Sequence, residues 1–204
     1  MQEPLVFLPG MMCDARVFGP QLTALSPDFA VTIAPITQGD RIEEIASNLL
    51  DVLPRKFALA GLSLGGIVAM ETALAYPDRI VGLVLIGTTS ECREKIAGWY
   101  ERIALAGERD GAAGLGRAIY GEKSTKQIAG DAQGIAHVTR MLKSLYSDPL
   151  TPKLGEIRCP ALMTVGEKDP MGPKASEIVH AAMPTGRAEL LRVPDKGHWL
   201  QLEA

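Results

Sequence analysis

The segment Gly61–Gly65, with the sequence Gly-Leu-Ser-Leu-Gly, places Ser63 between two glycines directly after a short apolar run. The spacing matches G-x-S-x-G, in which a nucleophilic serine occupies a sharp turn between a strand and a helix. The glycines leave room around the turn, and amides at the start of a helix can stabilise developing negative charge. The pattern predicts covalent catalysis by Ser63, and a glycine-rich turn without chemistry is the alternative that the pentapeptide leaves open.

A serine nucleophile needs a base to accept its proton and an acid to orient that base. Asp169 follows a late apolar run, and His198 follows the last apolar run of the chain. We interpret His198 as the base and Asp169 as the acid, with Glu167 and Asp195 as the fallback acids. Asp169 could instead serve only in a turn.

The elements that would position these residues alternate between strand and helix. Apolar runs predict strands at 5–8, 31–36, 80–86, 160–165 and 188–193 and another that leads from residue 57 to Ser63, and helical spacing predicts helices at 18–25, 41–53, 64–76 and 173–183. Strands with no polar face indicate a mostly parallel sheet covered by helices on both sides. Right-handed crossovers then bring the carboxyl ends of the strands, with Ser63, Asp169 and His198, to one edge.

The chain order Ser63, Asp169, His198 resembles that of the α/β-hydrolase superfamily and differs from the orders of the chymotrypsin-like and subtilisin-like proteases. The resemblance extends from the Leu-Pro-Gly loop near the N-terminus to the Gly-His near the end of the chain. It implies an α/β-hydrolase fold. It also implies acyl transfer to water, since the dehalogenases and epoxide hydrolases of the superfamily carry an aspartate where this chain has Ser63.

An oxyanion hole requires two N–H donors. The position after the nucleophile assigns one donor to the amide of Leu64. The resemblance assigns the other to the amide of Met11, in a loop where the family often has His-Gly and this chain has Pro9-Gly10. Met12 is the alternative donor.

The alternation of strands and helices breaks between residues 91 and 152, where glycines interrupt a mainly helical segment that contains Trp99 and Tyr100. We interpret residues 91–152 as a helical cap inserted into a core formed by residues 1–90 and 153–204; ordinary connecting helices are the alternative. The resemblance also implies a final helix after His198, of which the sequence holds only the beginning. We therefore expect this helix to be missing, and its face of the sheet to be exposed or covered by a partner.

Composition predicts a small molecule as the binding target. The 204 residues carry a net charge of −3, which gives no reason to expect nucleic acid or a membrane as partner. No signal peptide is evident, and three widely spaced cysteines, Cys13, Cys92 and Cys159, are typical of reduced intracellular thiols. His137 and His180 fall within predicted helices, so we interpret them as surface or core residues and not as the catalytic base. We expect a cytoplasmic monomer or homodimer that needs no metal and no cofactor.

The sequence therefore predicts a serine hydrolase that cleaves a small, mostly apolar ester or related acyl compound. Thioesters, lactones, peptides, perhydrolysis and a lyase reaction at the same residues remain open. A catalytically weak or silent protein of the same fold, with a ligand-binding or receptor-like role, is the alternative function. A dinucleotide-binding protein is disfavoured because no G-x-G-x-x-G sequence follows any predicted strand.

Overall fold

The computed structural model describes residues 3–39, 41–125 and 131–203. Within them the chain forms one six-stranded sheet with the order β2-β1-β3-β4-β5-β6, in which neighbouring strands pair in parallel. The strands are β1 (Leu5–Leu8), β2 (Val31–Ile33), β3 (Phe57–Leu62), β4 (Ile80–Ile86), β5 (Ala161–Gly166) and β6 (Ala188–Val193). The predicted parallel sheet is confirmed, and the carboxyl ends of its strands share one edge.

Eight α-helices lie in the described parts of the chain. They are α1 (Gly19–Leu25), α2 (Ile42–Leu50), α3 (Leu64–Ala75), α4 (Glu94–Tyr120), α5 (Ala132–Leu142), α6 (Ser144–Ser147), α7 (Gly172–Ala182) and α8 (Leu200–Glu203). Two 3₁₀ helices, Ala15–Phe18 and Thr151–Glu156, complete the helical elements. Helix and strand alternate along the chain as the sequence predicts, apart from the run of helices between β4 and β5.

Apolar clusters cover both faces of the sheet, because successive side chains of each strand point to opposite faces. Leu59 of β3 belongs to the larger cluster, which α2, α3 and α7 cover. Leu62, at the end of the same strand, belongs to a smaller cluster that includes Phe18 and, from α8, Leu200. The α/β fold with helices on both faces is therefore confirmed.

The helices between β4 and β5 form a small apolar cluster of their own and also pack against the core of the sheet. Helix α4 is kinked at Gly111, whose φ of 61° is outside the helical range, so the chain folds back there. Ile103 and Leu115, on the two sides of the kink, form a small cluster with Ile135 of α5. Further along α5, Val138 packs into the larger cluster of the sheet. The boundaries of the proposed cap remain a prediction.

Some expected features differ from the structure or lie outside it. The strand predicted at 31–36 ends at Ile33. The amide of Ala34 makes the last ladder bond to β1, at 3.0 Å from the carbonyl of Phe7, and the residue of the other strand that would donate next is Pro9, which has no N–H. Residues 1, 2, 40, 126–130 and 204, which belong to the predicted core and cap segments, lie outside the described residues.

The sequence also predicts reduced cysteines and gives no reason to expect a membrane as partner. Cys13, Cys92 and Cys159 are all free thiols. Among the described residues, no helix combines the length and the apolar character needed to cross a membrane.

Candidate active site

Ser63 lies at the turn between β3 and α3, as the sequence predicts. Its φ of 52° and ψ of −114° are unusual for a residue with a side chain, which makes this a strained turn. The turn brings strand and helix very close, because a Cβ at Gly61 would lie 2.3 Å from the carbonyl oxygen of Gly65. A Cβ at Gly65 would lie 2.2 Å from the carbonyl oxygen of Leu8. Only glycine fits either position.

The end of β4 holds this turn in place. The amide of Ser63 donates to the carbonyl of Ile86 at 2.8 Å, and the Thr88 hydroxyl donates to the carbonyl of Ser63 at 2.6 Å. Thr88 is almost completely buried. No motif marks Thr88 in the sequence, and its position two residues after the end of β4 is the signal that points to it.

Asp169 and His198 form a hydrogen-bonded pair. His198 Nδ1 lies 2.7 Å from Asp169 Oδ2, and the other oxygen of this carboxylate, Oδ1, accepts the amide of Met171 at 3.1 Å. The Asp169 side chain is 2% exposed and the His198 side chain 26%, so the carboxylate is buried while the imidazole reaches solvent. Nδ1–H donation to Asp169 would leave Nε2 as the free basic nitrogen.

The Asp169 carboxyl is held in its charged form. Burial alone would raise its pKa, but the hydrogen bond from His198, the amides of Met171 and Gly172 and the charge of His198 outweigh burial. Together they hold the pKa of Asp169 below its usual value. A buried carboxylate that stays ionised is the partner that an imidazolium requires.

Gly87 connects the serine turn to the Asp169–His198 pair. A Cβ at this position would lie 3.3 Å from Asp169 Oδ2 and 3.3 Å from His198 Nδ1, and its φ of 51° also favours glycine. Its two neighbours along the chain, Ile86 and Thr88, are the residues that bond to Ser63. The structure thus brings the three predicted catalytic residues around one short segment at the end of β4.

The loop that carries His198 packs against the turn after β5. The amide of Lys168 donates to the carbonyl of Lys196 at 2.8 Å. Glu203 of α8 accepts the amide of Gly197 at 2.7 Å through its carboxylate. On the other side of the histidine, the Trp199 ring meets the imidazole edge-on, with 5.5 Å between ring centroids. Backbone, carboxylate and aromatic contacts therefore all restrict the position of His198.

The alternative acids make other contacts. Asp195 forms an exposed ion pair with Lys168 at 2.8 Å, and the exposed Glu167 joins the loop through its amide, which donates to the carbonyl of Val193. His137 and His180 lie on helices, as predicted. Each of these histidines bonds to a backbone carbonyl, that of Gly39 for His137 and that of Ala188 for His180.

The candidate oxyanion donors come from the first turn of α3 and from the loop after β1. Leu64 is the first residue of α3, where backbone amides have no partner within the helix. Met11 and Met12 are the central residues of a turn that the amide of Cys13 closes by donating to the carbonyl of Gly10 at 3.1 Å. Met12, the alternative donor, has a φ of 63°.

A cavity of about 800 Å³ lies beside these donors. Its lining is mainly apolar and includes Met11, Met12, Ile36, Leu64, Ile135 and Val138. Trp199, next to the candidate base, also lines it, together with polar and charged residues that include Asp14, Arg16, Thr37 and Asp131. Across residues 3–39, 41–125 and 131–203, no three histidine, cysteine, aspartate or glutamate side chains cluster in a way that could hold a metal ion.

Comparison with known proteins gives one family. Residues 5–204 match the model of the alpha/beta hydrolase family. The chain is 27% identical to serine hydrolase BPHL of Homo sapiens over 224 aligned residues, which cover 97% of this chain and 74% of that protein.

A second curated relative and one solved structure match the chain to different extents. A pimeloyl-[acyl-carrier protein] methyl ester esterase of Legionella pneumophila is 35% identical over 88 residues, which are 41% of this chain and 37% of the esterase. Among solved structures, MenH from S. aureus superposes with a TM-score of 0.84 at 20% identity, over 98% of this chain and 88% of that one. That likeness concerns the fold.

Proposed function

The chain belongs to the alpha/beta hydrolase family, and from this premise we propose that it is a serine hydrolase of small, mostly apolar esters or related acyl compounds. Ser63 is the nucleophile, His198 the general base and acid, and Asp169 the carboxylate that orients His198. The observation that carries the proposal is the 2.7 Å bond between His198 Nδ1 and Asp169 Oδ2. This pair lies against Gly87, whose two neighbours in the chain bond to the strained turn at Ser63.

Acylation begins when Ser63 Oγ attacks the carbonyl carbon of the ester and its proton passes to His198 Nε2. The carbonyl oxygen becomes an oxyanion, which accepts hydrogen bonds from the amides of Met11 and Leu64. The intermediate collapses when the carbon–oxygen bond to the alcohol breaks. The alcohol takes the proton from His198 and leaves, and the acyl group stays on Ser63.

Deacylation repeats these steps with water. His198 takes a proton from the water as its oxygen attacks the acyl carbon, and the second oxyanion uses the same two amides. The bond to Ser63 Oγ then breaks, the serine recovers its proton from His198, and a carboxylic acid leaves. Asp169 stays ionised throughout and stabilises the imidazolium in both halves of the reaction, in line with its lowered pKa.

The substrate class follows from the cavity. A largely apolar lining of Met11, Ile36, Leu64, Ile135 and Val138 favours an apolar acyl or alcohol group. The name of one relative, a methyl ester esterase, also supports ester hydrolysis, and that of another, a serine hydrolase, supports a serine nucleophile. A small molecule is therefore the proposed partner, while a cytoplasmic location and a monomeric or homodimeric state remain predictions from the sequence.

A fluorophosphonate probe tests the proposal without knowledge of the substrate. We expect mass spectrometry of the labelled protein to find one adduct, on the peptide that contains Ser63. Labelling should vanish in Ser63→Ala and fall by roughly three powers of ten in His198→Ala.

His180→Gln is the matched control, since His180 lies on α7 and bonds to the carbonyl of Ala188, and it should label like the wild type. No labelling of folded wild-type protein would overturn the proposal and would favour the ligand-binding alternative. Labelling that survives Ser63→Ala would assign the nucleophile elsewhere.

A further inference from the structure

Met11, in the loop after β1, contacts a buried hydroxyl on α5. Thr139 is fully buried, and its hydroxyl donates to the carbonyl of Ile135 at 2.7 Å and to Met11 Sδ at 2.9 Å. A hydroxyl has one proton, so these two acceptors share it. The contact joins residues 128 positions apart in the sequence and ties α5 to the loop of the candidate oxyanion donor.

The next residue of this loop is held by the same group of helices. Met12 packs against the cluster that Ile103 and Leu115 of α4 form with Ile135 of α5. Its φ of 63° is a conformation that residues with side chains rarely adopt, and that persists only where the surroundings enforce it. The helices between β4 and β5 therefore hold both central residues of the turn through their side chains.

The direction of the Met11 amide depends on this turn. The turn is closed by the bond from the Cys13 amide to the carbonyl of Gly10, at 3.1 Å, and the Met11 amide belongs to the peptide that follows Gly10. An oxyanion donor works only when it lies about 2.7–3.1 Å from the oxygen that becomes charged. A rotation of the turn would therefore weaken oxyanion stabilisation and leave Ser63, His198 and Asp169 in place.

We propose that Thr139 is a positioning residue for catalysis, which aims the amide of Met11 at the oxyanion by holding the Met11 side chain from α5. The inference rests on the proposed function, because it assumes that Met11 serves as a donor. It gives the helices between β4 and β5 a part in the chemistry besides that of lining the cavity. The hydroxyl of Thr139, and not its volume, is the feature that matters.

Thr139→Val tests this inference because valine keeps the shape and removes the hydroxyl. With a short ester such as p-nitrophenyl butyrate, we expect kcat to fall about tenfold and KM to stay within about twofold, less than the loss of a whole oxyanion donor. Thr139→Ser, which restores the hydroxyl, should recover most of kcat. Thr72→Val is the matched control, since Thr72 is equally buried and donates to the carbonyl of Val68, also at 2.7 Å, but lies on α3.

Two further readouts separate positioning from a general loss of structure. A trifluoromethyl ketone that adds to Ser63 places an oxyanion in the same hole, so its affinity should fall by the same factor as kcat/KM in Thr139→Val. The pH at which kcat/KM is half-maximal should not move, because the Asp169–His198 pair is untouched. Unchanged kcat and inhibitor affinity in Thr139→Val, or an equal loss in Thr139→Ser, would overturn the inference.

Met11→Leu provides a second variant that keeps the volume and removes the sulfur acceptor. In the Met11→Leu background, Thr139→Val should have little further effect on kcat, because the contact that it removes is already absent. Full additivity of the two losses would contradict the inference. Fluorophosphonate labelling of the wild type at Ser63 keeps the two proposals apart: without it the proposed function fails, and with it only the role of Thr139 is in question.

Discussion

The role of Asp169 can be tested against two other carboxylates, Glu167 on the same turn and Asp195 on the loop that carries His198. Asp169→Asn should reduce kcat by about three to four powers of ten, since asparagine cannot stabilise the imidazolium and favours the wrong tautomer of His198. Glu167→Gln and Asp195→Asn are the controls, because Glu167 is exposed and Asp195 pairs with Lys168 at the surface. Steady-state kinetics of the three variants would identify the acid, and an equal loss in Glu167→Gln would show that it is misassigned.

The lowered pKa of Asp169 also predicts how stability depends on pH. A carboxyl whose pKa is lower in the folded than in the unfolded protein stabilises the fold above its unfolded pKa of about 3.9. This contribution is lost as the pH falls through the lower, native pKa. Between about pH 5 and about pH 3, we expect the unfolding free energy of the wild type to fall more than that of Asp169→Asn, as measured by urea unfolding. A difference that stays constant over this range would rule out the lowered pKa.

The residues that sequence alone identifies here are those that carry a local pattern. Ser63 lies in a five-residue motif, and Asp169 and His198 each follow an apolar run, so position and residue type together single them out. Thr88 and Thr139 have no such pattern. Their roles depend on contacts with Ser63 and Met11, at separations of 25 and 128 positions, and such contacts exist only once the chain has folded.

At the scale of elements, the close approach of β1, β3 and α3 can be tested at a single glycine. In Gly65→Ala, the added Cβ would lie 2.2 Å from the carbonyl oxygen of Leu8, so the backbone must move. The gain in helix propensity is about 1 kcal/mol, whereas overpacking against backbone costs about 3 kcal/mol or more. We therefore expect the free energy of unfolding to fall by at least about 2 kcal/mol and the rate of fluorophosphonate labelling to fall with it.

Gly98→Ala is the matched control for this effect. Gly98 lies inside α4, and a Cβ there would meet only the Arg102 guanidinium, at 3.7 Å. Alanine at such a position should raise the free energy of unfolding by about 0.5–1 kcal/mol, because glycine is unfavourable within a helix. Urea unfolding of both variants measures the two effects, and equal stability of the two would mean that β1 and α3 can separate at little cost.

The sequence predicts the bounds of strands and helices well where hydrophobic periodicity is strong. It predicts them less well where a single residue ends or bends an element. The strand at Ile80–Ile86 was predicted with the bounds that the structure has, because a run of apolar residues is flanked by a turn at each end. The second strand is shorter than predicted because Pro9, which follows β1, has no N–H to donate to it. The fold-back of α4 at Gly111 depends on packing between Ile103 and Leu115, which the many glycines of this segment do not reveal.

At the scale of the whole molecule, the sheet positions the candidate catalytic residues, and the helices between β4 and β5 line a cavity that reaches Leu64 and Trp199, the neighbours of Ser63 and His198. The ends of β3, β4 and β5, together with the loop after β6, bring Ser63, Asp169 and His198 together. Helix α5 contributes Ile135 and Val138 to the cavity wall, and Thr139 to the loop of Met11. This division supports the proposed cap over residues 91–152, in which one group of helices would set both substrate preference and the oxyanion hole.

The apolar cavity predicts a preference for longer acyl chains. Each methylene that leaves water for an apolar wall gains about 0.8 kcal/mol, which is close to a fourfold increase in kcat/KM when burial is complete. Across p-nitrophenyl esters from acetate to octanoate, we expect kcat/KM to rise by about two- to fourfold per methylene and then level off when the cavity of about 800 Å³ is filled.

An ester of the same length that ends in a carboxylate is the control within this series. Desolvation of its charge against Ile36, Ile135 and Val138 should cost at least what the methylenes gain, because the cationic Arg16 at this cavity is already paired with Asp14 at 2.6 Å. This ester should therefore react no faster than the acetate. If kcat/KM is highest for the acetate and falls with every added methylene, the cavity does not receive the acyl chain. The apolar wall would then have to accommodate the alcohol, and the same series built on the alcohol side would show the rise instead.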